Sequence, residues 1–319
     1  MASRLRRTLL AALVTAAVVF PVSAAAKPSA VPAPPPAALG PLDADELPFL
    51  QTRFEANRVN IREAARVAAE HGDRRRAASL DVMAAGERQF LTFDGRDGGR
   101  TAEVFGDLAH ADRIALLVPG SDTNLDTYER FRAGAVALLD ATRAAGGGRT
   151  AVVAWLGYAT PGTVSTDVLT TGRADDAAGQ LRAFAREMKN ARPHAGLSLL
   201  CHSYGSVVCA RAAHGLDAAD IALYGSPGTG AARAGELRTR ATVWAGRGRG
   251  DWIADVPHVR LELLGTAIGF GTDPVSDGFG ARVFDAGDGG HSDYLRPGTV
   301  SLGNLALIAA GRTGQVSGA

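Results

Sequence analysis

The stretch Leu199-Leu200-Cys201-His202-Ser203-Tyr204-Gly205-Ser206-Val207-Val208-Cys209-Ala210 decides the fold. It opens as the end of a mostly apolar run starting at Leu197, which reads as a buried strand, and it resumes at once as an apolar helix. Ser203 stands between the two. A serine hydroxyl is a weak nucleophile until a base takes its proton and the backbone presents its oxygen. A strand that stops, a strained turn and an immediate helix make that presentation, usually in the pattern G-x-S-x-G. The residues two before and two after the serine must be small, because strand and helix nearly touch there. Here they are Cys201 and Gly205, with Ser206 also small. Cys201 breaks the usual pattern but is compact enough for the place. A chance S-x-G among 39 glycines is the competing explanation, and the flanking strand and helix weigh against it.

Working outward, strands and helices alternate. Strands are expected at Ile114 to Val118, Ala151 to Trp155, Leu197 to Cys201, Ile221 to Tyr224, Thr242 to Ala245 and Arg282 to Asp285. Helices are expected at Asp126 to Arg143, Ala174 to Asn190, from about Tyr204, and near Val300 to Ala310. A strand pair, Phe90 to Phe93 and Thr101 to Phe105, precedes them around the turn Asp94 to Gly99. Two helical stretches come earlier, one carrying Leu47, Phe54, Ile61 and Ala65, the other Arg74 to Glu87. The Arg74-Arg75-Arg76 run reads as a solvated helix face. Such alternation implies an α/β fold, a mostly parallel sheet with helices on both faces, plus an N-terminal helical extension.

The first residues bear on the compartment. Arg4, Arg6 and Arg7 precede the apolar stretch Leu9 to Phe20, with Val22-Ser23-Ala24 as a small-residue cleavage site and Ala26 the alternative. A membrane span needs about 20 apolar residues, so this is a removable secretory signal. The expected organisation is signal peptide 1–26, Pro/Ala-rich linker 27–42, N-terminal helical region 43–88 and α/β domain 89–314. The mature chain is expected outside the cell, without a membrane span and as a monomer. With 34 basic and 33 acidic residues there is no one-signed surface for nucleic acid. No H-E-x-x-H motif or Cys–His cluster occurs, so neither a metal nor another cofactor is expected.

Nucleophile elbows of this kind take their partners in the order Ser, acid, His. Of seven histidines, His291 lies in the Gly-rich segment Gly289-Gly290-His291-Ser292-Asp293-Tyr294 after the last expected strand, where a base must hang to reach Ser203. His202 adjoins the nucleophile and should point away from it. The acid should follow the strand Thr242 to Ala245. Asp251 does, in Gly246-Arg247-Gly248-Arg249-Gly250-Asp251, and Asp255 is the alternative. The oxyanion of an acyl-transfer intermediate needs two backbone N–H donors. Tyr204 supplies the first. The second is expected from the loop Pro119-Gly120-Ser121-Asp122, from Ser121 with Gly120 next.

Several short stretches resemble an actinobacterial family of α/β-hydrolases whose function is undefined. They are Gly106-Asp107-Leu108, Leu117-Val118-Pro119-Gly120, His202-Ser203-Tyr204-Gly205-Ser206, Gly225-Ser226-Pro227-Gly228, Asp251-Trp252-Ile253, Gly271-Thr272-Asp273-Pro274 and Gly290-His291-Ser292-Asp293-Tyr294. The resemblance spans about Phe90 to Tyr294. It implies the α/β-hydrolase fold and a Ser203–Asp251–His291 triad, and no particular substrate.

Both cysteines, Cys201 and Cys209, bracket the nucleophile and form a candidate disulfide for an exported protein, two buried thiols being the alternative. Trp155 and Tyr158 are candidates for the substrate pocket, and Gly265 to Gly280 for a loop bordering the site. No long apolar insertion suggests a lipase lid, so the expected substrate is a small soluble ester or acylated molecule. The expected activity is that of a serine esterase working through acyl-Ser203. Amide or peptide hydrolysis, or acyl transfer in the envelope, would use the same groups. A non-catalytic binding protein on this fold is the alternative of another class.

Overall fold

The apolar runs form one sheet of eight strands in the computed structural model, which describes residues 31–162, 172–256, 261–263, 266–268 and 270–319. The strands are β1 (Gln89–Asp94), β2 (Arg100–Phe105), β3 (Arg113–Val118), β4 (Thr150–Leu156), β5 (Gly196–His202), β6 (Asp220–Tyr224), β7 (Thr242–Gly246) and β10 (Arg282–Val283), with β8 (Leu261–Leu263) and β9 (Thr266–Ile268) a separate hairpin. The order is β1-β2-β4-β3-β5-β6-β7-β10. Within this sheet, among the described residues, β1–β2 and β2–β4 pair antiparallel and the other neighbours pair parallel. The helices are α1 (Leu50–Glu70), α2 (Arg74–Ala84), α3 (Tyr128–Ala144), α4 (Gly172–Ala191), α5 (Tyr204–Ala212) and α6 (Val300–Ala309).

The two-residue period of a strand sorts the core. Along β3, Ile114, Leu116 and Val118 join the cluster under α4 and α5, while Ala115 and Leu117 join the cluster under α3 and α6. The register aligns the strand ends, with Val118 opposite Cys201, His202 opposite Tyr224, and Tyr224 opposite Gly246. The loops after β3, β5, β6 and β7 therefore leave one edge of the sheet, where open α/β folds bind their ligands.

The N-terminal helices manage the sheet's exposed edge. Leu50 and Phe54 of α1 join one core cluster and Ile61, Ala64 and Ala65 the other, so α1 straddles β1. Between these contacts, Asn57 Nδ2 donates to the edge carbonyl of Phe90 at 2.9 Å. An edge strand left bare is a template for aggregation, and here a helix covers it. Arg88 fastens the start of β1 by a two-pronged pair with Glu103, both N–O distances 2.7 Å. Arg76 corrects the solvated-face expectation. Its side chain is buried and paired with Asp126, while Arg74 and Arg75 are exposed.

Both ends of the described chain pack onto the α/β body. Residues 1–30, which include the expected signal segment, lie outside the described residues. The remainder of the expected linker does not behave as a free tether. Asn60 donates to Pro35 O at 2.7 Å, Arg53 donates to Gly40 O at 2.6 Å, and Leu42 is core. At the other end, the expected strand to Asp285 is short, yet Phe284 N still bonds Ala245 O, and Phe284 bridges Gly318. The α/β body thus extends past residue 314.

The elbow is the tightest junction. Ser203 has φ 51° and ψ −125°, a strained conformation for a non-glycine residue. α5 starts immediately and lies so close to the end of β3 that a Cβ on Gly205 would meet Pro119 O at 2.5 Å and Val118 O at 2.7 Å. Cys201 and Cys209 are joined as a disulfide that ties β5 to α5. Gly to Ala inside a helix ordinarily stabilises by up to about 1 kcal/mol. Gly205→Ala should reverse that sign and cost about 1–3 kcal/mol from overpacking. An unchanged or higher urea midpoint would contradict this packing. Reduction of the disulfide should cost about 2 kcal/mol for so short a loop. Intact mass should show both thiols alkylated only after reduction; alkylation without reductant would exclude the bond.

Candidate active site

The strained turn at Ser203 points its hydroxyl to the sheet edge, and His291 meets it there. His291 Nε2 lies 2.9 Å from Ser203 Oγ. His291 Nδ1 lies 2.9 and 3.0 Å from the two carboxylate oxygens of Asp251. A carboxylate can only accept, so Nδ1 carries the proton and Nε2 presents its lone pair to the serine. The three residues come from three loops, after β5, after β7 and after β10. Asp255 is not part of this chain of bonds: it is exposed, at the far end of the 3₁₀ turn Trp252–Asp255.

Asp251 is buried at 3% exposure and is held from three sides. Besides His291, it accepts from Ile253 N at 2.9 Å and from the hydroxyl of Tyr294. Burial alone pushes the Asp251 carboxyl up, but the bonds from His291, Tyr294 and Ile253 outweigh it and hold it below its ordinary 3.8. It therefore stays ionised. Burial and the bond to Asp251 push the Tyr294 phenol up, which keeps it a donor. Tyr294 also accepts from Gly248 N at 3.1 Å, tying the acid loop to the base loop. Asp293 braces the same turn by accepting from Gly290 N at 2.9 Å.

His202 lies beneath the base loop, with ring centroids 4.8 Å from His291, 5.2 Å from Tyr224 and 5.7 Å from Tyr294. His202 Nε2 lies 2.8 Å from the backbone oxygen of His291. A carbonyl only accepts, so Nε2 carries the proton and His202 holds the base loop from below. Burial, then the charge of His291, push His202 down from its ordinary 6.5 to about 3, so this ring is neutral.

The loop after β3 reaches Ser203. A Cβ on Gly120 would stand 2.6 Å from Ser203 Cβ and 3.2 Å from its Oγ, so only glycine permits this approach. Ser121 follows, half-buried. Tyr204, the first residue of α5, packs its ring edge-on against Phe270 at 5.8 Å. Phe270 belongs to the Gly-rich stretch expected beside the site; Gly265 lies outside the described residues. Trp155 and Tyr158 depart from the pocket expectation. Each is only 3% exposed, and they stack on one another at 6.1 Å as core. Tyr158 acts on the site from behind, because its hydroxyl donates to Pro119 O at 2.7 Å. Asp122 N bonds Pro161 O at 3.0 Å and completes the fastening of this loop to the segment after β4. Among the described residues no group of His, Cys, Asp and Glu is arranged to hold a metal.

A family model described as an alpha/beta hydrolase matches residues 94–261. The chain belongs to that family. It is 30% identical over 257 residues to an uncharacterized protein of Mycobacterium tuberculosis, covering 69% of this chain and 38% of that protein. The chain thus spans about two-fifths of the length of that relative. A shorter uncharacterized protein of Mycobacterium bovis is 32% identical over 143 residues, 41% of this chain and 53% of its own. Among solved structures, a serine hydrolase without a lid from Xanthomonas campestris aligns with a TM-score of 0.46 at 20% identity, over 70% of this chain and 94% of that one.

The neutral His202 gives the fold a measurable dependence on pH. The unfolded ring takes up a proton near 6.5 and the folded ring only near 3, so acidification between these values favours unfolding. Its contribution is fully present above pH 6.5, and its loss below that has a slope of at most about 1.4 kcal/mol per pH unit. The depressed Asp251 adds its own loss only around and below its ordinary 3.8, as pH falls toward its lower folded titration. Urea midpoints of the wild type should fall more steeply from pH 7 to 4.5 than those of His202→Asn. Parallel curves would show that His202 is not the group responsible.

Proposed function

We infer that this alpha/beta hydrolase is an exported serine esterase that works through an acyl-Ser203 intermediate. The observation that carries this is the unbroken line of bonds from Ser203 Oγ through His291 to Asp251. His291 Nε2 takes the proton of Ser203 as Oγ attacks the ester carbonyl carbon. The carbonyl oxygen becomes an oxyanion, for which the backbone N–H groups of Tyr204 and Ser121 are the assigned donors, with Gly120 the alternative to Ser121. The protonated His291 then gives its proton to the leaving alcohol, and the acyl group remains on Ser203. Water repeats the sequence, with His291 as base, and frees the acid. Asp251 does not take the proton. It fixes the imidazole's tautomer and stabilises the imidazolium, a role that its ionised state suits.

Export is supported by the basic and apolar N-terminal segment and by the bonded cysteines, which persist in oxidising compartments. Among the described residues no helix is long and apolar enough to cross a membrane. A small ester is the favoured substrate.

A fluorophosphonate probe should label the purified wild type and leave Ser203→Ala unlabelled. On p-nitrophenyl esters Ser203→Ala should lose several powers of ten in kcat, on the order of 10⁶ in a well-built triad. Equal labelling of both proteins would remove Ser203 from the mechanism. Faster turnover of matched anilides than of esters would move the assignment to an amidase.

A further inference from the structure

The 3₁₀ turn after the acid puts two side chains in opposite environments. Asp251 caps the turn and Ile253 is anchored inside at 3% exposure. Trp252, between them, is thrown outward and is 49% exposed. Its ring lies against the ring of His291, with centroids 4.7 Å apart and planes inclined at 48°. Among the described residues the exposed large apolar side chains are Phe49, Val59, Val82, Val300 and Trp252. Trp252 is the one seated on the catalytic imidazole. An indole left half in water forgoes the gain of burial, and a flat apolar ligand laid on it would recover that gain.

The chemistry of the proposed reaction says which part of a substrate comes there. The leaving oxygen must come within about 2.6–3.2 Å of His291 Nε2 to receive its proton. The carbon skeleton on that oxygen is then carried past the imidazole and onto whatever surface adjoins it. The acyl chain hangs from the carbon bonded to Ser203 Oγ, between the elbow and the Gly120 loop. Of the two rings against His291 among the described residues, His202 is part-buried and bonded beneath the base loop, and Trp252 is half-exposed to solvent.

We propose that Trp252 is the floor of the leaving-group subsite and selects esters of ring-bearing alcohols, aryl-methyl or cyclic, over esters of short chain alcohols. The proposal rests on the esterase reading above. Trp252 is a specificity residue: it touches the departing alcohol and takes no proton.

The test compares kcat/KM for benzyl acetate and ethyl acetate in the wild type, Trp252→Ala and Trp252→Phe. Fluorophosphonate titration counts active sites in each protein, and ethyl butyrate against ethyl acetate reports on the acyl side. Trp252→Ala should lower the benzyl-to-ethyl ratio about 2- to 10-fold, the range of an aromatic pair. Trp252→Phe should keep most of the ratio, and the butyrate-to-acetate ratio should stay constant. An equal loss on both acetates would make Trp252 a support for His291 alone and overturn the subsite. So would a change confined to the acyl ratio. Enzyme that is labelled by the probe but turns over neither ester defeats the subsite and the esterase reading together. Wild type that takes no label defeats the hydrolase reading itself.

Discussion

Everything at this site depends on a junction where a helix meets the end of a strand with no side chain between them. Gly205 leaves that space open, and Ser203 accepts a strained backbone to turn the chain within it. The turn directs one hydroxyl to the sheet edge and starts a helix whose first amide lies beside it. Such a geometry costs on the order of 1–3 kcal/mol locally. The buried sheet on both sides supplies the rigidity that maintains it. The Gly120 loop completes the junction from the neighbouring strand, and Tyr158 and Pro161 hold that loop from behind.

The second layer sorts charge. Asp251, His202 and Tyr294 are all titratable and all largely withdrawn from water, yet each is kept in one state by its contacts. Three donors hold Asp251 as an anion. Packing against rings keeps His202 neutral, and its one proton is committed to a backbone oxygen. Tyr294 remains a phenol because burial, and then the bond it donates to the carboxylate, push its pKa up. His291 is thus the member of the group whose second nitrogen faces the Ser203 hydroxyl.

Much of this was legible in the chain, for identifiable reasons. Ser203 is marked by local order, since strand, small residues and helix are contiguous. His291 and Asp251 are marked by their positions after particular strands. The sheet is legible because β3 to β7 are mostly apolar runs. What escaped is set by contacts distant in sequence. Tyr294 meets Asp251 across 43 residues, and nothing near Tyr294 announces that bond. The signal available was its place three residues after the base in a turn braced by Asp293. His202 looked incidental because strand alternation says only which face a side chain takes, not which loop folds over it. Trp155 and Tyr158 stand at a strand's carboxyl end, where pockets usually open, but α4 packs on Trp155 through Phe184. The Pro/Ala-rich segment lacks the apolar content of a core element, yet Leu42 in the core and hydrogen bonds to Pro35 O and Gly40 O anchor it.

Three consecutive residues at the end of β5 each hold a different part of the molecule. Cys201 is bonded to the following helix, His202 to the backbone of the loop that carries His291, and Ser203 to the ring of His291 itself. Ser203 and the loop of His291 are consequently both anchored at the end of one central strand. On the esterase reading, loss of activity on warming should therefore track the cooperative melting of the central sheet rather than the loosening of a peripheral loop.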